Sequence, residues 1–431
     1  MGLAMSVLNR LAGAPIVARF GLKRPLERTV ANATKAGFGA AGAAGRTWTA
    51  ARALAAPKRP APAAARALFD LTPTDEQRLI RDTVADFARE QLRPAAAEAD
   101  AKCDAPQDVL RVAAELGIAA IGVPEELGGL GSERSAVTNV LVTEALAHGD
   151  LGLAVACLAP AAVSNALVLW GDERQQATYL PAFVGEHVPA AALAIAEPQP
   201  LFNPFSLRTK AYRSSGGFVL SGVKSLVPRA SAAELFVVAA DLDGRGPALF
   251  VVEAGSSGLG IEAEPGMGVR AAGTGRLVLD RVAVPAGALL GAGESAVYAD
   301  CVRLARLGWC ALAVGTGQAV LDYVIPYVND RVAFGEPVSH RQGVAFKVAD
   351  IGIELEGMRL VTLRAASRAE QGLPFAREVA LARKLCADKG MAIGSDGVQL
   401  LGGHGYTKEH PVERWYRDLR AVGLMEGAVL V

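Results

Sequence analysis

Glu234-Leu-Phe-Val-Val-Ala-Ala240 and Ala248-Leu-Phe-Val-Val-Glu253 are short apolar runs with several β-branched and aromatic residues, a composition typical of buried β-strands. Two further runs of this kind lie on either side, Gly216-Gly-Phe-Val-Leu-Ser-Gly222 and Arg276-Leu-Val-Leu-Asp280. Glycine-rich or polar turns separate the runs. The segment 186–293 is therefore predicted to be an all-β domain.

Helical periodicity surrounds this β segment. Thr72 is predicted to cap a first helix with Pro73 at its first position, and apolar residues then recur every three to four positions. Helical signals continue to about residue 185 and return after residue 294. The predicted later helices span 295–330, 340–371 and 374–401. The predicted fold class is thus mainly α with a central β-barrel domain. The predicted domains are an N-terminal extension at 1–66, a helical domain at 67–185, the β domain at 186–293 and a second helical domain at 294–431.

Charge is distributed unevenly along the 431 residues. Lys and Arg (44) balance Asp and Glu (44) overall, but residues 1–66 hold eleven basic residues and one acid, Glu27. The remaining chain is acidic, and the 51% share of hydrophobic residues is enough for a large core. These values exclude a globally disordered chain and a fibrous protein.

The five cysteines form no C-x-x-C pair and no metal-type spacing with the five histidines. Scattered through apolar stretches, they are expected to be buried free thiols in a reducing compartment. We therefore predict no metal site and no disulfide framework.

The stretch from Leu151 to Gly171 carries no charge and is long enough to cross a bilayer. Pro160 interrupts it, and Ser164 and Asn165 are polar. We predict two buried helices that meet near Pro160 instead of a membrane span.

Four short motifs follow one another in the last quarter of the chain. They are Arg331-Val-Ala-Phe-Gly-Glu-Pro337 with Gln342 soon after, Gln399-Leu-Leu-Gly-Gly-His-Gly-Tyr406, Pro411-Val-Glu-Arg-Trp-Tyr-Arg-Asp418 and Met425-Glu-Gly427. In this order and at this spacing, they resemble the motifs of the acyl-CoA dehydrogenase family over roughly residues 70–431. The resemblance implies a helical domain, a β domain and a C-terminal four-helix bundle, in agreement with the periodicity.

The resemblance also implies an activity. Family members use FAD to convert an acyl-CoA thioester into its trans-2-enoyl-CoA in fatty acid β-oxidation, and they pass the electrons to an electron-transfer flavoprotein. A homotetramer or homodimer is expected, and no nucleic-acid partner.

Two of the motifs imply contacts with FAD. An arginine can make paired hydrogen bonds to the pyrophosphate, and glycines let main-chain N–H groups approach the cofactor closely. In the family, the first motif serves an FAD held largely by a neighbouring subunit. The implied cofactor-binding residues are Arg331, Phe334, Gln342, Gln399, Gly402 and Gly403.

Glu426 is implied as the catalytic base, which removes the α-proton while the β-hydrogen leaves as hydride to flavin N5. Burial beside the cofactor would raise the pKa of this carboxyl group. Some family members carry the base on an earlier helix, where this chain has Ala305. The next residue, Arg306, stands where the family has an active-site arginine, and it is the implied substrate-binding residue.

Three features depart from the family pattern. Ala196 replaces the threonine of T-E-P, and Leu226 and Pro228 replace the aromatic and hydroxyl residues of K-x-[WF]-[IV]-[TS], where Ser225 could compensate. The chain also ends soon after Glu426, where the family continues into a last helix. Two alternatives therefore stay open. They are a catalytically degenerate structural subunit of a hetero-oligomeric dehydrogenase, and another flavoenzyme, an oxidase or monooxygenase, on the same fold.

Residues 1–66 interleave basic and apolar side chains, as in Val17, Arg19, Phe20 and Lys23. This composition suits a helix that lies in the interface of an anionic membrane. We predict a cytoplasmic protein attached peripherally to the inner membrane of a bacterium. A transit peptide, with the protein in the mitochondrial matrix, and a disordered solubilising tail are the alternatives.

Overall fold

The structure, a computed structural model, describes residues 72–129, 134–185 and 187–429. These residues belong to a single unit that spans 69–431. The extension at 1–66, with the membrane and transit-peptide predictions made for it, lies outside the described residues.

The N-terminal part is helical. Its helices are α1 (Asp75–Phe87), α2 (Arg93–Lys102), α3 (Gln107–Glu115), α4 (Ala136–Gly149), α5 (Leu151–Trp170) and α6 (Glu173–Phe183). The prediction that Thr72 caps α1 is wrong, because Thr74 does so. Its hydroxyl accepts a hydrogen bond from the Gln77 N–H at 3.1 Å, and the Gln77 side chain accepts one from the Thr74 N–H at 3.0 Å. This reciprocal capping box satisfies two N–H groups, whereas an N-cap alone satisfies one.

The prediction of two helices meeting at Pro160 is also wrong, since α5 runs without a break from Leu151 to Trp170. A proline inside a helix costs about 3 kcal/mol. Burial of α5 on nearly all sides offsets this cost. In the described part of the chain, α5 and the helix Ser295–Asp330 are long and apolar enough to span a membrane, but 78% and 67% of their most apolar windows are buried in the fold.

The β domain is a curled seven-stranded sheet of order β1-β4-β2-β3-β7-β6, in which β5 pairs with β4. Its strands are β1 (Ala191–Ala194), β2 (Lys210–Ser214), β3 (Gly217–Val227), β4 (Leu235–Leu242), β5 (Gly246–Glu253), β6 (Leu259–Ala263) and β7 (Gly275–Pro285). The register between β3 and β7 shifts between Lys224 and Val227. This irregularity releases Ser225 and Leu226 from the ladder, and such bulges re-aim side chains beside active sites.

The C-terminal part is again helical, which confirms the predicted fold class. Its helices are α7 (Ser295–Asp330), α8 (Gln342–Glu370), α9 (Ala376–Leu400) and α10 (Val412–Leu419), and a short hairpin of β8 (Val332–Ala333) and β9 (Glu336–Pro337) follows α7. At 36 residues, α7 is about 54 Å long. It packs against α4 of the N-terminal part and against α8 and α9 of the C-terminal part, and so joins the two helical parts.

The five cysteines are free thiols, and all except Cys103 are buried. Within the described ranges, no group of three or more His, Cys, Asp or Glu side chains is arranged to hold a metal ion.

Candidate active site

A cavity of about 240 Å³ lies where α4, α5 and α7 meet the β domain and the turn that contains Glu426. Its wall is mostly apolar and includes Val155, Leu158 and Ala162 from α5 and Gly308 from α7. Such a wall suits an alkyl chain, because apolar side chains leave no polar atom unpaired against it.

Glu426 closes one side of this cavity. The residue is 9% exposed, and its Oε2 has no hydrogen-bond partner among the described residues. Burial raises the pKa of its carboxyl group, while Arg383, Trp309, Arg306 and Lys224 oppose the rise. A carboxyl group with a raised pKa and a free oxygen is suited to receive a proton from a molecule in the cavity.

The main chain at Glu426 adopts an unusual conformation. Glu426 has φ of +56° and Gly427 has φ of +101°, and a left-handed conformation is unfavourable for a residue with a Cβ. Two arginines hold this turn. Arg306 Nε donates to the Glu426 carbonyl oxygen at 3.0 Å, and Arg383 Nη2 donates to the carbonyl oxygens of Met425 and of Gly427, the latter at 2.6 Å.

Sequence reasoning missed Arg383, although a signal for it exists. Val379, Ala382, Cys386 and Ala387 are buried on α9, and Arg383 continues their helical spacing onto the same face. A cation within a buried helical face requires polar partners. Here those partners are the carbonyl groups on both sides of Glu426.

The departures from the family pattern meet at the same cavity, since Ala196, Leu226 and Pro228 all line it. Behind them, Lys224 and Glu197 form a fully buried ion pair with 2.9 Å between Nζ and Oε1, and burial lowers the pKa of Lys224 to about 8. The Ser225 hydroxyl donates to Glu264 at 2.8 Å. The Ser225 oxygen can therefore accept a hydrogen bond from a molecule in the cavity, but its proton is already donated.

Arg331, Phe334 and Gln342 lie together at the far end of α7. Arg331 ends this helix and Gln342 begins α8, and both are exposed. The Phe334 ring is 96% exposed, and the Arg341 guanidinium lies 5.9 Å from its centroid. The structure brings these three predicted residues together on an open surface.

The motif with Gln399, Gly402 and Gly403 lies close to this surface. The Tyr327 hydroxyl, one helical turn before Arg331, donates to the Leu401 carbonyl oxygen at 3.3 Å and contacts His404 Nδ1 at 2.8 Å. A Cβ added at Gly402 or Gly403 would meet no atom of the described chain within 4 Å. The main chain at these glycines is therefore open to a bound molecule.

The two groups do not form one site within a single chain. Arg331 follows Arg306 by 25 residues along α7, a rise of about 37 Å. The Glu426 cavity and the Arg331 surface can therefore share one cofactor only if the latter comes from a second copy of the chain.

Comparison with known proteins identifies the family of this chain. The family models for the N-terminal, middle and C-terminal domains of acyl-CoA dehydrogenase match residues 74–186, 192–282 and 295–429. The short/branched chain specific acyl-CoA dehydrogenase, mitochondrial, of Rattus norvegicus is 34% identical over 362 residues, which cover 82% of this chain and 83% of that protein. The chain belongs to the acyl-CoA dehydrogenase family.

Two bacterial members of the acyl-CoA dehydrogenase family are similar over nearly their whole length. An acyl-CoA dehydrogenase of Bacillus subtilis (strain 168) is 30% identical over 82% of this chain and 95% of its own. The structure of butyryl-CoA dehydrogenase from Megasphaera elsdenii matches with a TM-score of 0.78 and 29% identity, covering 84% of this chain and 97% of that one.

Acyl-CoA dehydrogenases use FAD, and the residues present here fit this cofactor. The main chain at Gly402 and Gly403 is open, Arg331 is an exposed cation, and residues of this kind would suit the pyrophosphate. The cavity beside Glu426 also extends to Ala196, Leu226 and Pro228, the positions where the family contacts the flavin.

Proposed function

We propose that this acyl-CoA dehydrogenase removes the α- and β-hydrogens of an acyl-CoA thioester, with Glu426 as the base, to give the trans-2-enoyl-CoA. The observation that carries the proposal is the buried side chain of Glu426, which lines an apolar cavity and whose Oε2 has no hydrogen-bond partner among the described residues. Its free lone pairs can accept the α-proton, and FAD, when bound, accepts the β-hydrogen as hydride.

The protein residues have separate tasks in this proposal. Glu426 takes the proton, and its raised pKa makes the carboxylate a stronger base than an exposed glutamate. Arg306 fixes the main chain of the base, and its Nη2, buried beside Gly427, has no hydrogen-bond partner among the described residues. Arg306 is not among the residues that line the cavity, so its contact with the substrate stays a prediction. The apolar wall formed by α5 and α7 holds the acyl chain.

We propose further that the FAD site lies between subunits of a homotetramer or homodimer. The cofactor-binding residues are Arg331, Phe334, Gln342, Gln399, Gly402 and Gly403, supplied by the neighbouring copy. The distance along α7 supports this arrangement. We expect an electron-transfer flavoprotein to accept the electrons.

The apolar positions Val344, Ile351, Leu355 and Met358 in the sequence predict a face of α8 that needs a partner subunit, and this prediction is wrong. The last three are buried within the chain, and Val344 packs against the same core. The faces of α8 that turn inward bury them against α7 and α9. A different row on α8 is exposed, consisting of Phe346, Ile353 and Leu360.

One observation favours the second candidate, a degenerate structural subunit. Pro228 has neither a hydroxyl nor an N–H group, and the Ser225 proton is already donated to Glu264. The flavin would therefore lack a side-chain hydrogen-bond donor beside Ser225 and Pro228. A structural subunit that binds FAD weakly is the alternative that this observation favours.

Relatives with mitochondrial and bacterial names support a location in the cytoplasm or the mitochondrial matrix for this enzyme. We propose peripheral attachment to an inner membrane through residues 1–66.

The deciding experiment is anaerobic bleaching of the FAD-loaded protein by saturated acyl-CoAs from butyryl to palmitoyl. We expect Glu426→Gln to slow bleaching by about two to four orders of magnitude, since the amide cannot accept the α-proton. FAD content and fold should stay unchanged. Glu409→Gln, at an exposed position near the same terminus, is the matched control. Equal rates for Glu426→Gln and wild type would exclude Glu426 as the base, and a colourless protein after FAD reconstitution would favour the structural subunit.

A further inference from the structure

The turn that carries Glu426 is held by a cation from a distant helix. We propose that Arg383 is a positioning residue for this base, which fixes the main chain on both sides of Glu426 and supplies positive charge that favours the carboxylate form. The inference rests on the proposed role of Glu426, and it extends that role to a residue on α9.

The geometry supports the positioning part. Arg383 Nη2 donates to the carbonyl oxygens of both Met425 and Gly427, the neighbours of the base. Because these two carbonyl groups flank a residue with φ of +56°, a single guanidinium holds both ends of the left-handed turn. Arg306 holds the carbonyl group between them. Each of three consecutive carbonyl groups thus accepts from an arginine, which fixes the direction of the Glu426 side chain.

Burial makes the charge of Arg383 effective. The residue is 3% exposed, and its Nε and Nη1 are buried without a hydrogen-bond partner in the described part of the chain. Burial lowers the pKa of Arg383 to about 10, so the group is still a cation at neutral pH. Charge–charge interactions are strong where water is excluded, and Arg383 is the foremost influence that opposes the raised pKa of Glu426.

Other groups that face Glu426 do not duplicate this function. Arg306, Tyr298 and Cys301 approach from α7, Lys224 approaches from β3, and Glu197 follows β1. Two of these groups are cations, Arg306 and Lys224. The charge of Lys224 is paired with Glu197. From the N-terminal part of the described chain, the charged residue that lines the cavity is Arg134, which precedes α4. Among the described residues, Arg383 alone combines an unpaired charge with contacts on both sides of the base.

Three variants of the FAD-loaded full chain separate the two roles. Arg383→Gln removes the charge, Arg383→Lys keeps the charge but loses the paired donors, and Lys384→Gln removes an exposed neighbouring charge as the control. Ionisation of Glu426 is followed by ¹³C NMR of labelled glutamate, with the signal assigned by its loss in Glu426→Gln. The rate of bleaching by the fastest saturated acyl-CoA is measured across the same pH range.

We expect Arg383→Gln to move the Glu426 titration, and with it the acid limb of the bleaching rate, up by about one to three pH units. Arg383→Lys should titrate close to wild type while its bleaching rate falls about 10- to 100-fold, because the base is misplaced. A purely structural role would change FAD content and thermal stability without moving the titration.

An unmoved titration in Arg383→Gln would overturn the charge part, and a wild-type rate in Arg383→Lys would overturn the positioning part. If Arg383→Gln does not fold, the rate and titration of Arg383→Lys still decide the positioning part. If no acyl-CoA bleaches the wild-type protein, the proposed reaction fails, while the NMR titration still tests the effect of Arg383 on Glu426.

Discussion

Arg306 donates a hydrogen bond from Nε to the main-chain carbonyl oxygen of Glu426 across 3.0 Å. The residue before it, Ala305, lines the same cavity as the Glu426 side chain. Position 305 on α7 and position 426 in the C-terminal turn therefore offer two places from which a carboxylate can face one substrate.

This proximity predicts that the base can be moved. The double variant Ala305→Glu/Glu426→Gln should bleach at least about tenfold faster than Glu426→Gln alone, since proton transfer requires a carboxylate within reach of the α-carbon. Leu304→Glu in the same background is the matched control, because Leu304 also lines the cavity but points about 100° away around the helix. Equal recovery in both double variants would show that the position of the carboxylate is unimportant.

The glycines of the second motif separate cofactor binding from folding. Gly403→Ala adds a Cβ to open space, so we expect the free energy of unfolding to stay equal or to rise by about 0.4–1 kcal/mol. FAD affinity should fall at least about tenfold, because the methyl group occupies the space of the cofactor.

Gly405→Ala provides the contrast. Its Cβ would lie 2.2 Å from the Val398 carbonyl oxygen, so this substitution should destabilise the fold by about 1–3 kcal/mol. Calorimetric titration with FAD and thermal unfolding distinguish the two effects. Unchanged FAD affinity in Gly403→Ala would remove this backbone from the proposed cofactor site.

The exposed row on α8 predicts the subunit interface. Phe346 is 58% and Ile353 is 70% exposed, and they lie seven residues apart on one helix face. Phe346→Glu should reduce the mass measured by light scattering and release FAD, because a buried unpaired charge disfavours association. Leu79→Glu, at a position that is 69% exposed on α1, is the control. A wild-type monomer that retains FAD would contradict the shared site.

Vesicle flotation tests the basic extension. The full chain should float with anionic liposomes at low salt, since eleven cations in residues 1–66 meet acidic head groups. A chain that begins at Leu68 should stay in the soluble fraction. If both remain soluble, residues 1–66 do not attach the protein to this membrane.

Local patterns in the sequence predicted the long helices and the central strands well. The apolar period of 295–330 coincides with α7, and the run at Glu234–Ala240 overlaps β4 from Leu235 onward. Strands β1, β2 and β6 were missed because they are four or five residues long and lack dense β-branched content. At Pro160 the local rule was wrong, because burial of the whole helix outweighs the cost of one proline.

The sequence allowed a prediction for the candidate site only where a motif is contiguous. Glu426 stands out in a three-residue motif, whereas the contacts of Arg383 join residues 42 and 44 positions apart. Their meeting depends on how α9 packs beside the C-terminal turn, and no local spacing encodes it. The same holds for Ser225, whose hydroxyl is directed to Glu264 by a shift in strand register.

The length of α7 has a genetic consequence. If each FAD contacts the Glu426 cavity of one chain and the Arg331 surface of another, a defect at Arg331 disables the neighbour and spares the chain that carries it. Mixing an Arg331 variant with a Glu426 variant would then recreate some intact sites from two inactive parents. A copy that has lost its own base would still supply the Arg331 surface to the FAD of its partner. Such complementation can preserve a catalytically inactive subunit in a mixed assembly.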